Sequence, residues 1–404
     1  MFKYKLLTGS FFIINSILTL AIFNDVPIVS QFDIVSVETI LQKYKNEITY
    51  TEFMPAQEVF YDPLPFAIEE FQVKHPNHVT FDTSWVLTIP NGRVCSVNGR
   101  VLIDKKYMIR NLEWPYLKFS WYLNVLNEES PKFMNARKVS GRVAVVTCNG
   151  YWNYAHCLTD LLGRLAMLDS MAIDYDWIYI PYDCGPKFMN QILHAWGIDP
   201  SKIIEPIGEF TCIEADELIV SSFTSNLKPT PYCASLSLME LFSVRCPVWL
   251  AEYYKNKFLP LVSQIFSNHD RFSKRVFISR KDSKWRPLHN EDDVFNLFEP
   301  YGFKRYQMSD LTFLEQVELF SNADILIGAH GAALVNILFC KPGTKIFEIF
   351  QQRADCSYMF LSQSLGLDYT PIKTVDFNAN DPCGGAGTFA SLHHFDGIIQ
   401  SLNL

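Results

Sequence analysis

Between Arg275 and Phe350, apolar runs of strand length alternate with amphipathic runs of helix length, and few architectures accept that order. RVFISR (275–280) reads as a strand, and the loop after it carries Lys281, Asp282, Lys284 and Arg286. NEDDVFNLFEPYG then begins acidic, as the positive end of a helix dipole favours. FKRYQM is a short strand. Thr312 and Glu315 stand three apart at the head of LTFLEQVELFSNA, a capping-box spacing, with Leu311, Leu314, Val317 and Phe320 along one helical face. DILIGAH is a continuous apolar run suited to a strand buried on both faces; GAALVNILF is a helix stopped by Lys341-Pro342-Gly343, and TKIFEIF is the closing strand. The spacing predicts a parallel sheet with right-handed crossovers.

A second α/β unit is expected over about 141–225. Its strands are GRVAVVTCNG, Trp177–Ile180, KIIEPI and ADELIVSS; its helices lie in NYAHCLTDLLGRLAMLDSM and KFMNQILHAWGI. CPVWLAEYYKNKFLPLVSQIF reads as a helical linker, and Ser225 to Pro231 as an exposed loop on the cleft side. Upstream, the pattern is irregular and β-rich, with Asn91-Gly92 and Asn98-Gly99 between apolar runs as hairpin signals. These readings divide the chain into a segment 1–24, a β-rich leader 25–135, α/β domains over 136–255 and 256–380, and a tail helix over 381–404. Ligands of such folds bind in the crevice at the carboxyl ends of the strands, here between the two units.

Half of the 404 residues are apolar, which allows a sizeable core, and a net charge of −8 without a basic run argues against a nucleic-acid partner. Ten scattered cysteines show no metal-ligand spacing, so no metal site is expected; their even number leaves disulfides open if the chain lies outside the cytosol. Leu6 to Phe23 is apolar over roughly a bilayer's thickness and follows Lys3 and Lys5, which predicts a membrane anchor or signal-like segment. A buried first element of a cytoplasmic protein is the alternative.

Three clusters carry the chemistry. His156, Asp160 and Arg164 recur every four residues, which sets imidazole, carboxylate and guanidinium on one face of an apolar helix, with Asn153 just ahead. Arg280, Lys281, Lys284 and Arg286 follow a buried strand, where guanidiniums can pair phosphate oxygens. Gly328-Ala329-His330-Gly331-Ala332-Ala333 forms a small-residue turn into a helix whose N–H groups suit an anion. Glu348, in mid-strand, needs a partner such as an arginine or a ribose hydroxyl.

SRKDSKWRPLHNEDDV, followed by LEQVELFSNADILIGAHGAALVNILFCKPGTKIFEIF, resembles the C-terminal half of the glycosyltransferase family 61 proteins, and NYAHCLTDLLGRL is similar to their N-terminal segment. The resemblance implies a GT-B architecture of two Rossmann-like domains, a nucleotide-sugar donor as co-substrate with no other cofactor, and inverting transfer to a glycan or glycoconjugate hydroxyl without an essential metal. Carried over, Arg280, Arg286, Asn290, His330, Gly331, Ala332, Asn336 and Glu348 would serve the donor; His156, Asp160 and Arg164 would face the acceptor or the pyrophosphate, with Asn153 beside them. Asp160 is the expected base and His156 its rival. Cys157 and Gly163 depart from the family pattern at positions expected to bear on acceptor choice. A noncatalytic nucleotide- or sugar-binding subunit of a polysaccharide assembly system, or another polysaccharide-modifying transferase, would also fit this scaffold.

Overall fold

The computed structural model describes residues 33–62, 78–109, 136–148, 150–183, 185–206, 212–228, 245–266, 271–350, 357–373, 387 and 389–402. Leu6 to Phe23 therefore lies outside the described residues, as do Pro229 to Pro231. Among the described residues no helix is long and apolar enough to cross a membrane.

The leader builds β1 (Asp33–Val35), β2 (Thr49–Met54), β3 (Gln57–Phe60), β4 (His78–Phe81), β5 (Ser84–Pro90), β6 (Arg93–Cys95), β7 (Arg100–Ile103) and β8 (Tyr107–Ile109). The next unit adds β9 (Arg137–Val145), β10 (Trp177–Tyr179), β11 (Ile203–Ile204) and β12 (Cys212–Ser221). All of these except β3 and β4 share one sheet. On one side of the long strand β12 lie the parallel strands β9, β10 and β11; on the other, β5 and β6 run antiparallel to it. The leader thus extends the α/β sheet instead of forming a separate layer.

Asn98-Gly99 turns β6 into β7 as expected, with Gly99 at φ +73 and its N–H bonded to Ser96 O. Asn91-Gly92 is not a hairpin. There β5 and β6 are successive segments along the same partner, and the dipeptide only kinks the strand: Asn91 N–H bonds Asp216 O, and Ala215 N–H bonds Gly92 O. Cys95 and Cys212, paired across β6 and β12, form a disulfide.

The second sheet follows the expected pattern closely. β13 (Arg275–Ser279), β14 (Lys304–Gln307), β15 (Ile325–Ala329), β16 (Lys345–Phe350) and β17 (Asp368–Lys373) are all parallel, in the order β14-β13-β15-β16-β17. The Phe313–Asn322 helix carries the complete Thr312/Glu315 capping box. The run after His330 is a 3-10 helix, Ala332–Phe339, rather than an α-helix. At the end of the chain, a 3-10 turn (Leu392–Phe395) leads into a short α-helix, Asp396–Leu402.

One core joins the two sheets. It runs from Ala144, Ile178 and Ile219 under the first to Val276, Leu326 and Ile346 under the second. Between them lies the linker helix, Val248–Ile265, with Leu250, Ala251, Tyr254, Phe258 and Val262 buried. Phe258 meets Trp196 of the first unit at 5.7 Å and Phe313 of the second at 4.9 Å between ring centroids. The boundary expected between residues 255 and 256 falls inside this helix.

Candidate active site

The helix after β9 begins as α-helix over Tyr154–His156, opens into a π-turn over Cys157–Leu161 and resumes as α-helix over Leu162–Ser170. The π-turn closes through Leu162 N–H to Cys157 O, leaving neighbouring carbonyls to outside donors. Thr224 Oγ1 bonds Thr159 O at 2.6 Å, and the Tyr254 hydroxyl bonds Leu158 O. Asn153 caps the segment, its side chain accepting Ala155 N–H at 2.9 Å. Asn153 therefore shapes the turn that presents His156.

His156 Nδ1 lies 2.8 Å from Asp160 Oδ2, and Asp160 Oδ1 accepts the Ser225 hydroxyl. Ser225 is buried, not part of an exposed loop as the sequence suggested; Lys228 is exposed. Both carboxylate oxygens of Asp160 are thus engaged, and the residue is only 3% exposed. The imidazole is the more accessible member of the pair, with 12% of its side chain exposed against 4% for Asp160. Arg164 lies deeper, 1% exposed, donating to Thr147 O at 2.6 Å and Ser221 Oγ at 3.3 Å. Burial pulls its guanidinium down to about 10. It braces the ends of β9 and β12 from within through Nε and Nη1, while its Nη2 is buried without a hydrogen-bond partner among the described residues. Cys157 and Gly163 also pack inward: Cys157 Sγ is 3.8 Å from Met189 Sδ, and a Cβ at Gly163 would lie 2.5 Å from Thr224 Oγ1.

The second half of the site is built on β13, β15 and β16. Arg280 stands at the end of β13, its N–H held at 2.7 Å by the buried Glu291, whose other oxygen takes Ser279 Oγ at 2.6 Å. Its guanidinium folds back on its own loop, with Nε to Arg286 O at 3.2 Å and Nη2 to Trp285 O at 2.7 Å. Arg286 adopts φ +54, an unusual conformation for a residue with a side chain. Burial, and then the positive charge of Arg286, bring the Arg280 guanidinium down to about 10. Lys281 is drawn away to Asp292 at 2.6 Å, and Lys284 is exposed. Arg280 also reaches across to the small-residue turn, where a Cβ at Gly331 would sit 1.6 Å from its Nη1. The arginine loop and the His330-Gly331 turn therefore touch, with Ala332 half-buried at the start of the 3-10 helix.

His330 repeats the arrangement of His156. Its Nδ1 is 2.6 Å from Glu348 Oε1, and Glu348 Oε2 accepts the Tyr369 hydroxyl at 2.6 Å. Glu348 is fully buried, and this histidine and tyrosine are among its partners. His330 stacks on Phe350 at 5.7 Å. Two residues expected at the donor are bonded to other parts of the protein. Asn290 exchanges two 2.8 Å bonds with the backbone of Ala390, anchoring the C-terminal segment. Asn336 is completely buried among protein partners. Sequence reading missed Glu291 and Ser225 as supports for these groups; a carboxylate opening a helix beside a basic loop was the available hint for Glu291. Among the described residues no group of three or more His, Cys, Asp or Glu side chains is placed to hold a metal ion.

These features, two histidine–carboxylate pairs and a paired-arginine loop on an α/β scaffold, fall in the stretch that the family comparison recognises. Residues 154–347 match the family model described as Glycosyltransferase 61 and take in every candidate residue except Asn153 and Glu348. This part of the chain is a glycosyltransferase 61 region, as its motifs imply. Among curated proteins, the chain is similar to the EGF domain-specific O-linked N-acetylglucosamine transferase of Drosophila melanogaster, 30% identical over 129 residues, which are 30% of this chain and 25% of that protein. It is likewise similar to the mouse protein of the same name, 29% identical over 100 residues, or 24% of this chain and 19% of that one. The similarity thus spans about a fifth to a quarter of the length of these relatives.

Proposed function

We propose that the chain is a glycosyltransferase that moves a sugar from a nucleotide-sugar donor to a hydroxyl of a glycan or glycoconjugate, with inversion, on two Rossmann-like halves of GT-B type. The observation that carries this reading is the His156–Asp160–Ser225 array within the matched region. Inversion needs one displacement at the anomeric carbon: the acceptor oxygen bonds to it as the bond to the leaving phosphate oxygen breaks. A base takes the acceptor proton, the bonding pair stays on the leaving diphosphate oxygen, and nearby positive charge stabilises it there. His156 is assigned as that base. Asp160 has both oxygens bonded inside the protein, so its role is to hold the Nδ1–H tautomer and stabilise the imidazolium as Nε2 exchanges the proton.

On the donor side, Arg280 and Arg286 lie close enough for Arg286 to lower the affinity of Arg280 for its proton. A diphosphate between them would relieve that repulsion. His330, held by Glu348, and the N–H groups after Gly331 would complete the cradle. The relatives' name makes N-acetylglucosamine the first donor sugar to try and a protein hydroxyl the first acceptor. The Cys95–Cys212 disulfide supports an oxidising compartment for this domain, with Leu6 to Phe23 as its membrane tether.

A panel of nucleotide sugars tests the reading, with nucleotide release and acceptor modification measured together and the product anomer read by NMR. With a productive donor, His156→Ala should lose ~10²–10⁴ in turnover while nucleotide binding by calorimetry persists. Unchanged turnover in that variant would overturn the assignment.

A further inference from the structure

Asn336 has the chemistry of a ligand-binding amide but the surroundings of a strut. It lies in the 3-10 helix that follows His330 and Gly331, and none of it is exposed. Its Oδ1 accepts the Tyr154 hydroxyl at 2.7 Å, and its Nδ2 donates to Gln316 Oε1 at 2.8 Å. Gln316 in turn donates from Nε2 to Met308 O at 3.0 Å and Leu311 O at 3.2 Å. Tyr154 opens the helical turn that presents His156, and burial raises its phenol, which keeps the hydroxyl a donor. One continuous polar chain therefore runs from the His156 turn to the element behind His330.

Two further bonds tie the second unit, one to the first unit and one to the linker helix. Phe313 N–H donates to Gln191 Oε1 at 2.9 Å, and Lys255 Nζ donates to Cys340 O at 2.6 Å at the far end of the 3-10 helix. An amide in a nonpolar core is costly unless all its partners are in place, so such a network has one good geometry and many poor ones. Apolar contacts in the shared core would hold the two units together without it; what the network adds is register.

We infer that Tyr154, Asn336 and Gln316 are positioning residues that fix the spacing between the His156 and His330 half-sites, so that acceptor base and donor cradle are set relative to each other before substrate arrives. This inference rests on the transfer proposed above. It assigns Asn336 to catalytic alignment instead of donor contact.

The test is Tyr154→Phe, which removes one hydroxyl and keeps the ring against Phe188. Ser36→Ala, which removes a helix cap far from the site, serves as a destabilised control. Misplacement by about 1 Å can cost on the order of 10² in rate, so Tyr154→Phe should lower kcat by ~10- to 100-fold with nucleotide Kd and donor KM within about twofold of the parent. Backbone hydrogen exchange should rise together in 154–161 and 332–339. The control should lose thermal stability with kcat unchanged. An unchanged kcat in Tyr154→Phe overturns the inference, and so does a fall in nucleotide affinity that matches the fall in kcat, which would return Asn336 to the donor. If the parent protein transfers no sugar, the proposed function fails separately; hydrogen exchange then decides alone, and faster exchange in only one of the two segments overturns the inference.

Discussion

At the scale of single residues, the site uses one device twice: a histidine whose Nδ1 is fixed by a carboxylate that is itself held by a hydroxyl. Asp160 and Glu348 are more deeply buried than their histidines, which on the proposed function leaves proton handling to the imidazoles. Asp160→Asn should therefore leave nucleotide affinity intact and reduce turnover, because the neutral amide can hold the wrong tautomer; turnover against nucleotide calorimetry checks this. Gly331 is needed for space, since its φ of 173 is ordinary extended backbone. Gly331→Ala should push the Arg280 guanidinium off the turn and weaken nucleotide binding roughly 10- to 100-fold, the value of one charge-assisted bond; calorimetry reads it directly. The same guanidinium gives a pH dependence. Buried and repelled by Arg286, it releases its proton near about 10, so nucleotide affinity should hold from neutral pH to about 9 and fall above that, an effect absent in Arg280→Ala.

At the scale of elements, local chemistry was legible where it depends on neighbours in sequence. Thr312 and Glu315 announce a capping box, and the structure forms it, with Glu315 Oε2 accepting Thr312 N–H at 2.9 Å. Thr312→Ala should cost ~1 kcal/mol, visible as a lowered denaturation midpoint with an unchanged m-value. The π-turn at Cys157–Leu161 was not legible, because its cause lies far away in Thr224 and Tyr254, whose hydroxyls satisfy the carbonyls the turn leaves over. Four-residue spacing placed His156 and Asp160 together, and the structure buries Arg164 beyond them. Asn91-Gly92 failed as a hairpin signal for a similar reason. Its flanking strands are both paired by β12, whose long partnership outweighs the local preference.

At the scale of the whole molecule, the parallel sheet could be read strand by strand from β13 to β16, since its central strands β13, β15 and β16 are buried and mostly apolar, whereas the edge strand β17, DYTPIK, carries no such run and was not legible. The merging of the leader into the first sheet could not be read either, because antiparallel pairing to β12 joins segments more than a hundred residues apart. The linker helix matters most at this scale. Phe258 is fully buried between the two units, and Phe258→Ala should destabilise the protein by ~3–5 kcal/mol, with both sheets losing structure in one transition when followed by hydrogen exchange. Because the same helix lies in the core that both sheets share, the two halves are not interchangeable cassettes. A chimaera cut between residues 255 and 256 would divide that helix and leave each half with an open apolar face. On the proposed function, specificity would have to be exchanged in loops at the strand ends, above a base that folds as one piece.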